Sequence, residues 1–412
     1  MSDLLRQSVD NHLPPPPPPA QPHARPRPDP IPSPNTIPEL DEHSSSPSSD
    51  SSDLSASSAD SATSINTVRP SSHEQAASPN HWTTYFAQEL YLDHVDNAKG
   101  FKACYHVYLT PPSDPQKDPL FICHHGAGAT GLSFAVFAQE LHKLLPTAGI
   151  LSLEARAHGS TIHPTAPQND DDDEPLDFSL PTLSADALTM INLTATTQNW
   201  PTLPPTLLLG HSLGAAILTD LASTAALGAQ LLGLINLDIV EGSAVSALAH
   251  MQTHLASRPS TFPSIDAAIT WHLRTRTLRN PASAAISVPS LLKPSDPSTP
   301  SEEKSYTWLT PLPPTAPFWP TWFTSLSSKF LSARAAKLLI LAGTDRLDRE
   351  LMIAQMQGKF QLVVLPEAGH FVQEDEPERV AEVVVGFWRR NDRGALVLPP
   401  KVGDLIRMGK KV

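Results

Sequence analysis

The chain has 412 residues with 44 prolines, 29 lysines and arginines against 42 acidic residues, and a net charge of −13. Its basic residues are scattered rather than striped, which argues against a surface for a phosphate backbone and so against a nucleic-acid partner. Cys104 and Cys123, both inside apolar runs, fit free thiols in a reducing compartment. No apolar leader or long apolar run suggests secretion or membrane spanning, so the expectation is an intracellular protein, in cytoplasm, nucleus or both, with no membrane contact.

Residues 1–80 carry an unbroken Pro14 to Pro19 run and a serine-dominated stretch from Ser44 to Ser64, and read as a disordered tail. Residues 81–392 suffice for one large core, followed by a C-terminal tail at 393–412. Phe101 to Leu109 alternates as a strand with one solvated face would. Leu120 to Cys123 is a short buried strand. It ends in the turn His124-His125-Gly126-Ala127-Gly128, after which Ser133 to Leu145 shows helical spacing. Gly149 to Leu153 is the next strand. Arg156 to Ser160 reads as a loop, and the acidic run Asp170 to Glu174 as a solvated insertion. A helix over Leu183 to Trp200, a strand at Leu207 to Gly210, a helix to about Leu227 and a strand at Leu231 to Leu237 follow.

The rhythm then breaks. Residues 243–335 contain helical stretches at Ala244 to Leu255 and Ser264 to Leu278, a Pro/Ser-rich gap at Ser287 to Glu303, and a cluster of aromatics, Tyr306, Trp308, Phe318, Trp319, Trp322 and Phe323. This segment reads as a cap over the strand ends with a mobile loop at 287–303, although a satellite core would explain the aromatics as well. The sheet resumes at Lys337 to Leu341 and Phe360 to Leu365, and a helix over Pro377 to Arg390 closes the pattern. Apolar strands separated by helices define an α/β chain with a mostly parallel central sheet covered by helices on both faces.

Gly210-His211-Ser212-Leu213-Gly214 spells G-x-S-x-G between a buried strand and a buried helix. A turn that tight leaves no room for side chains at its glycines and lifts the Ser212 hydroxyl clear of the sheet as a nucleophile. A serine hydroxyl needs a general base. Among the 17 histidines, His370 follows a buried strand and Gly369 and falls after the serine in chain order, whereas His211 should point away and His125 and His158 should be structural or pocket-lining. The acid that orients the base is either Asp238 or a member of the Asp345/Asp348 pair, and pattern alone does not choose between them. Oxyanion donors are expected at the backbone N–H of Leu213 and of Ala127 or Gly128. No metal or nucleotide motif is present, so no cofactor is expected.

Together with Asp238-Ile-Val-Glu-Gly242, Leu341-Ala-Gly-Thr-Asp345-Arg-Leu-Asp348, Gln355-Met-Gln-Gly-Lys-Phe-Gln361 and Leu365-Pro-Glu-Ala-Gly-His370, the serine motif resembles the protein phosphatase methylesterases from about His81 to Asn391. The resemblance implies an α/β-hydrolase fold with a cap insertion. It further implies Ser212 as nucleophile, His370 as base and Asp238 rather than Asp345 as acid. The implied activity is demethylation of the carboxyl-terminal leucine methyl ester of the type 2A protein phosphatase catalytic subunit. Alternatives are a small-molecule carboxylesterase and a non-catalytic phosphatase-binding module. Glu154 stands where that family usually has an aspartate, and the tail and the 287–303 stretch match nothing in it.

Overall fold

The computed structural model describes residues 81–165, 176–295, 305–343 and 347–392, so the expected tails, the acidic run and Asp345 lie outside the described residues. Leu120–His124, Gly149–Leu153 and Thr206–His211 are buried at every position, as strands with both faces covered must be. In chain order the strands are β1 Gln88–Asp96, β2 Phe101–Thr110, β3 Leu120–His124, β4 Gly149–Leu153, β5 Thr161–Pro164, β6 Thr206–His211, β7 Leu231–Leu237, β8 Thr261–Phe262, β9 Leu292–Pro294, β10 Tyr306–Trp308, β11 Ala336–Leu341 and β12 Gln361–Val364. The main sheet runs β1-β2-β4-β3-β6-β7-β11-β12, with β5 also paired to β2. From β4 to β12 every pairing is parallel, while β1, β2 and β5 add antiparallel pairs at one side.

Alternation along each central strand splits the core in two. Ile122 and Leu208 face one apolar layer, which the helices Leu180–Thr197 and Leu213–Ser223 complete. Phe121, Cys123, Leu207 and Leu209 face the other, built with the helices Ala135–Leu144 and Pro377–Asn391. Strand and helix periods thus meet on both sides of one sheet. Cys104 lies on β2 and Cys123, a buried free thiol, on β3, and among the described residues no helix is long and apolar enough to cross a membrane.

Three findings depart from the sequence reading. β1 was not expected, yet it pairs with β2 from Phe101 to Leu109 through a hairpin in which the Asp96 carboxylate accepts the N–H groups of Ala98 and Lys99 and Gly100 takes φ 69°. Its partner β2, expected to keep a solvated face, is mostly buried. The stretch 287–303 is partly regular: Asn280 caps a helix, Pro281–Ser290, that is followed by β9, and residues 296–304 lie outside the described set. The insertion between β7 and β11 builds its own three-stranded sheet, β8-β10-β9, over a small core of Phe262, Ala268, Leu278, Ala284, Val288 and Leu292. Its aromatics divide. Tyr306 and Trp308 join that small core, whereas Trp319, Trp322 and Phe323 sink into the main one.

β1, β2 and the end of β4 are tied by a buried histidine. His106 donates from Nδ1 to Glu154 Oε2 at 2.7 Å and from Nε2 to Glu89 Oε1 at 2.9 Å, and Tyr91 stacks on its ring at 4.5 Å. Burial alone would lower its pKa, but the two carboxylates outweigh burial and raise it to about 9. A raised histidine stabilises the fold fully below its unfolded value near 6.5 and loses that contribution as pH rises through about 9. His106→Gln should therefore lower stability by about 3–5 kcal/mol at pH 6 to 7. In thermal denaturation the gap to wild type should close as pH approaches 10.

Candidate active site

The C-terminal ends of β6, β7 and β12 carry the residues on which the chemistry would depend. Ser212 follows β6 at φ 51° and ψ −117°, a strained conformation for a residue with a Cβ. Its N–H donates to the Leu237 carbonyl at 3.2 Å, and its carbonyl accepts from Ala215 and Ala216, so backbone on both sides holds the strain. A Cβ on Gly210 would strike the backbone of Ala215, and one on Gly214 would strike the carbonyls of His124 and His125. Strand, serine and helix can approach this closely only with glycine at both places.

Asp238, just past β7, is also strained at φ 47°. Its side chain is wholly buried. Oδ1 accepts the Ala342 N–H beyond β11 at 2.8 Å, and Oδ2 accepts His370 Nδ1–H at 2.8 Å. The His370 side chain, beyond β12, remains 45% exposed, so the acid is sealed while the imidazole reaches solvent. Asp348, the other described aspartate considered for the acid, instead caps the helix Arg349–Met356. Its Oδ1 accepts the Leu351 N–H at 2.9 Å and its Oδ2 the Ser327 hydroxyl at 2.5 Å. Glu241 of the Asp-Ile-Val-Glu-Gly run is likewise structural, accepting the N–H groups of Ser325 and Ser327. Among the described residues no hydrogen bond joins the Ser212 hydroxyl to the His370 ring; such contacts often tighten only when substrate binds.

Four further histidines surround the elbow, all buried. His211 does not simply point away: its Nε2–H donates to the His370 carbonyl at 2.8 Å and its ring lies 4.7 Å from the His370 ring. His124 Nδ1–H donates to the His125 carbonyl at 3.0 Å, and His125 donates to the Gly126 carbonyl at 2.8 Å while accepting the Ala155 N–H at 3.1 Å. His158 donates from Nδ1 to the Arg156 carbonyl at 2.9 Å, and its Nε2 accepts the Gly128 N–H at 2.9 Å. That last bond corrects the reading of Gly128 as an oxyanion donor, because its proton is already turned toward His158. Ala127 and Leu213 are the amides that remain of those expected; Leu213 begins a helix, where N–H groups have no intrahelical acceptor.

Arg156 anchors the same corner through a buried pair with Asp186, Nε to Oδ2 at 2.6 Å and Nη2 to Oδ1 at 2.8 Å. Tyr105 adds a third bond to that carboxylate at 2.8 Å. Sequence reasoning missed the specific tasks of His211 and His158, since neither a motif nor a period says which carbonyl or amide a ring will meet. The proximity of His125 and His158 to glycine turns was the available signal.

A nucleophile-type elbow and a carboxylate–imidazole pair on the C-terminal ends of a mostly parallel sheet are the marks of the α/β-hydrolases, and residues 121–383 match the "Alpha/beta hydrolase family". Solved structures share that fold at low identity. E-2-(acetamidomethylene)succinate hydrolase is 16% identical with TM-score 0.52, covering 73% of this chain and 100% of its own. The peroxisomal α/β-hydrolase Lpx1 of Saccharomyces cerevisiae is 12% identical with TM-score 0.51, covering 78% and 94%. Closer in sequence are proteins named protein phosphatase methylesterase 1. Those of Emericella nidulans and Aspergillus fumigatus are 50% and 49% identical, each over 82% of this chain and over 83% and 78% of their own lengths. That of Schizosaccharomyces pombe is 39% identical over 78% of this chain and 88% of its own. The chain belongs to the protein phosphatase methylesterase family, a family of ester hydrolases.

Burial holds the four surrounding histidines neutral. It depresses His211 to about 3 and His124 to about 4, and takes His125 and His158 below their ordinary value as well. Unfolded histidines take up protons near pH 6.5, so His211 and His124 each cost the fold about 1.4 kcal/mol per pH unit below that point, and His125 and His158 act in the same direction. Glu374, raised by burial to about 8, works the other way for one proton between about 8 and 4.5. The thermal midpoint should therefore fall steeply from pH 6.5 to 5. In His158→Gln, proton uptake on unfolding at pH 5 should be smaller than in wild type, as buffer-dependent calorimetry would read it.

Proposed function

We propose that this chain is a serine carboxylesterase that removes the methyl ester from the carboxyl-terminal leucine of the type 2A protein phosphatase catalytic subunit, with Ser212, His370 and Asp238 as its catalytic residues. The observation that carries the reading is the buried Asp238–His370 hydrogen bond beside a serine on a strained elbow, in a chain of the methylesterase family. No cofactor is required. The partner is taken from the family's name and resemblance, and the remaining argument from the site.

Ser212 Oγ attacks the ester carbonyl carbon while His370 Nε2 takes its proton. Asp238 keeps the imidazole proton on Nδ1, so Nε2 presents its lone pair, and its charge offsets the imidazolium that forms. The negative charge on the former carbonyl oxygen falls to the N–H groups of Leu213 and Ala127, and losing one such donor costs about 3 kcal/mol. When the tetrahedral intermediate collapses, His370 returns the proton to the methoxy oxygen and methanol leaves. A water molecule then gives a proton to His370 and adds to the acyl group on Ser212. A second collapse restores the serine hydroxyl and releases the free leucine carboxylate. The neutral histidines around the elbow place no competing positive charge beside the one that must appear on His370.

Incubation with carboxymethylated phosphatase tests the assignment through methanol release. Ser212→Ala should abolish turnover and labelling by a fluorophosphonate probe. Asp238→Asn should lose on the order of 10³- to 10⁴-fold in kcat, as removal of the orienting acid does in serine hydrolases generally. Asp345→Asn should lose far less, and the reverse ranking would move the acid to Asp345. Turnover of short-chain esters with no turnover of the methylated phosphatase would favour a small-molecule esterase.

A further inference from the structure

The reading of His370 as proton carrier leaves a mechanical question, and the inference below rests on that reading. His370 sits on a loop between β12 and the short helix Val372–Asp375, so its backbone has to be fixed from outside. His211 holds its carbonyl from the elbow side. The insertion holds it from the other. Asp375, whose side chain is 1% exposed, accepts the Gly369 N–H with Oδ2 at 2.6 Å and the Arg279 N–H with Oδ1 at 2.7 Å. The Arg279 guanidinium stands 3.9 Å from Oδ2 and donates from Nη1 to the Glu367 carbonyl. Ser283 and Ser287, on the insertion helix Pro281–Ser290, donate to the Glu374 carbonyl at 2.7 Å and to Glu374 Oε2 at 2.5 Å. Phe371, next to His370, packs against the small core of the insertion.

The fit around Gly369 shows how close this approach is. An added Cβ would stand 2.9 Å from Asp375 Oδ2 and 3.2 Å from Arg279 Nε, both too near. A buried carboxylate beside a partly exposed arginine 3.9 Å away is a poor source of net stability, and its characteristic contribution is a fixed geometry. Here the geometry fixed is that of the residue before the base. We infer that Asp375 and Arg279 are positioning residues, which bind the peptide carrying His370 to the insertion so that the imidazole stays aligned with the elbow only while the insertion is docked. Glu374 reinforces the same attachment through Ser283 and Ser287.

The test uses the full chain, hydrolysis of p-nitrophenyl acetate, the second-order rate of fluorophosphonate labelling, and a thermal midpoint for each variant. A base displaced by about 1 Å can cost on the order of 10²-fold in rate. Asp375→Asn should therefore lower kcat and the labelling rate together by about 10- to 100-fold, leave KM within about twofold, and retain a cooperative melt. Arg279→Lys keeps the cation but loses the fork and should fall between the two. Wild-type kcat and labelling in folded Asp375→Asn, or a loss confined to KM, would overturn the inference. If Asp375→Asn does not fold, Arg279→Lys decides by the same two rates. Ser212→Ala and His370→Gln serve as controls: turnover persisting in both would remove the esterase reading and this inference with it, whereas inactive controls beside an unimpaired Asp375→Asn would remove only the positioning role.

Discussion

The hydrogen bond from His370 Nδ1 to Asp238 Oδ2 joins segments 132 residues apart, and much of the structure makes sense as the means of closing that gap. Its acceptor is a fully buried carboxylate on a residue forced to positive φ, which the chain holds only because the Asp238 N–H is given to Ile340 and Oδ1 takes the Ala342 N–H. Ile340 belongs to β11, the strand hydrogen-bonded beside β7, and Ala342 follows its end. The sheet edge thereby supplies an amide that helps make a buried negative charge tolerable, and the imidazole adds a second donor. Strain at Ser212 and at Asp238 is stored on neighbouring strand ends and sustained by the same ladder of backbone bonds.

Around that bond the site is lined with imidazoles that do no proton chemistry. His124 and His211 each meet one carbonyl, while His125 and His158 each meet a carbonyl and an amide; His124 ends β3, His125 follows it and His158 lies in the loop after β4. A neutral histidine is suited to this because it offers one donor and one acceptor in a rigid ring, which can bridge two backbone groups that a glycine-rich turn leaves without regular partners. Arg156 and Asp186 then hold the loop that carries His158. The turn after β3 is thus shaped indirectly, from a helix on one face of the sheet through a loop to the Gly128 amide.

Much of this was legible before any coordinates. The apolar runs at Leu120, Gly149, Thr206 and Leu231 gave themselves away because strands covered on both faces carry few polar residues to confuse the pattern. β1 was lost for the opposite reason. At Gln88–Asp96 the strand lies at the end of the sheet, its buried positions are few, and charged residues on its open side blur the alternation. The elbow could be read from two glycines and a serine, since its geometry is local. Asp238 and Asp348 were indistinguishable as sequence because each follows a strand and precedes a helix, and only the direction of the carboxylate separates an orienting acid from a helix cap. Gly128 was misread for a similar reason: a glycine-rich turn announces free amides, but not the ring that consumes one of them.

The insertion departs after β7 and rejoins at β11, and these two strands are immediate neighbours in register, Gly233 opposite Ala336 and Leu237 opposite Ile340. Because the pair is parallel, the chain leaves at the C-terminal edge of the sheet beside Leu237 and must cross to the opposite edge before Ala336 begins β11. Length added along such a crossover costs only about 0.6 kcal/mol for each doubling. The stretch that carries Arg279 and Ser283 is the exception to that freedom, because its bonds to Asp375 and Glu374 reach the loop of His370.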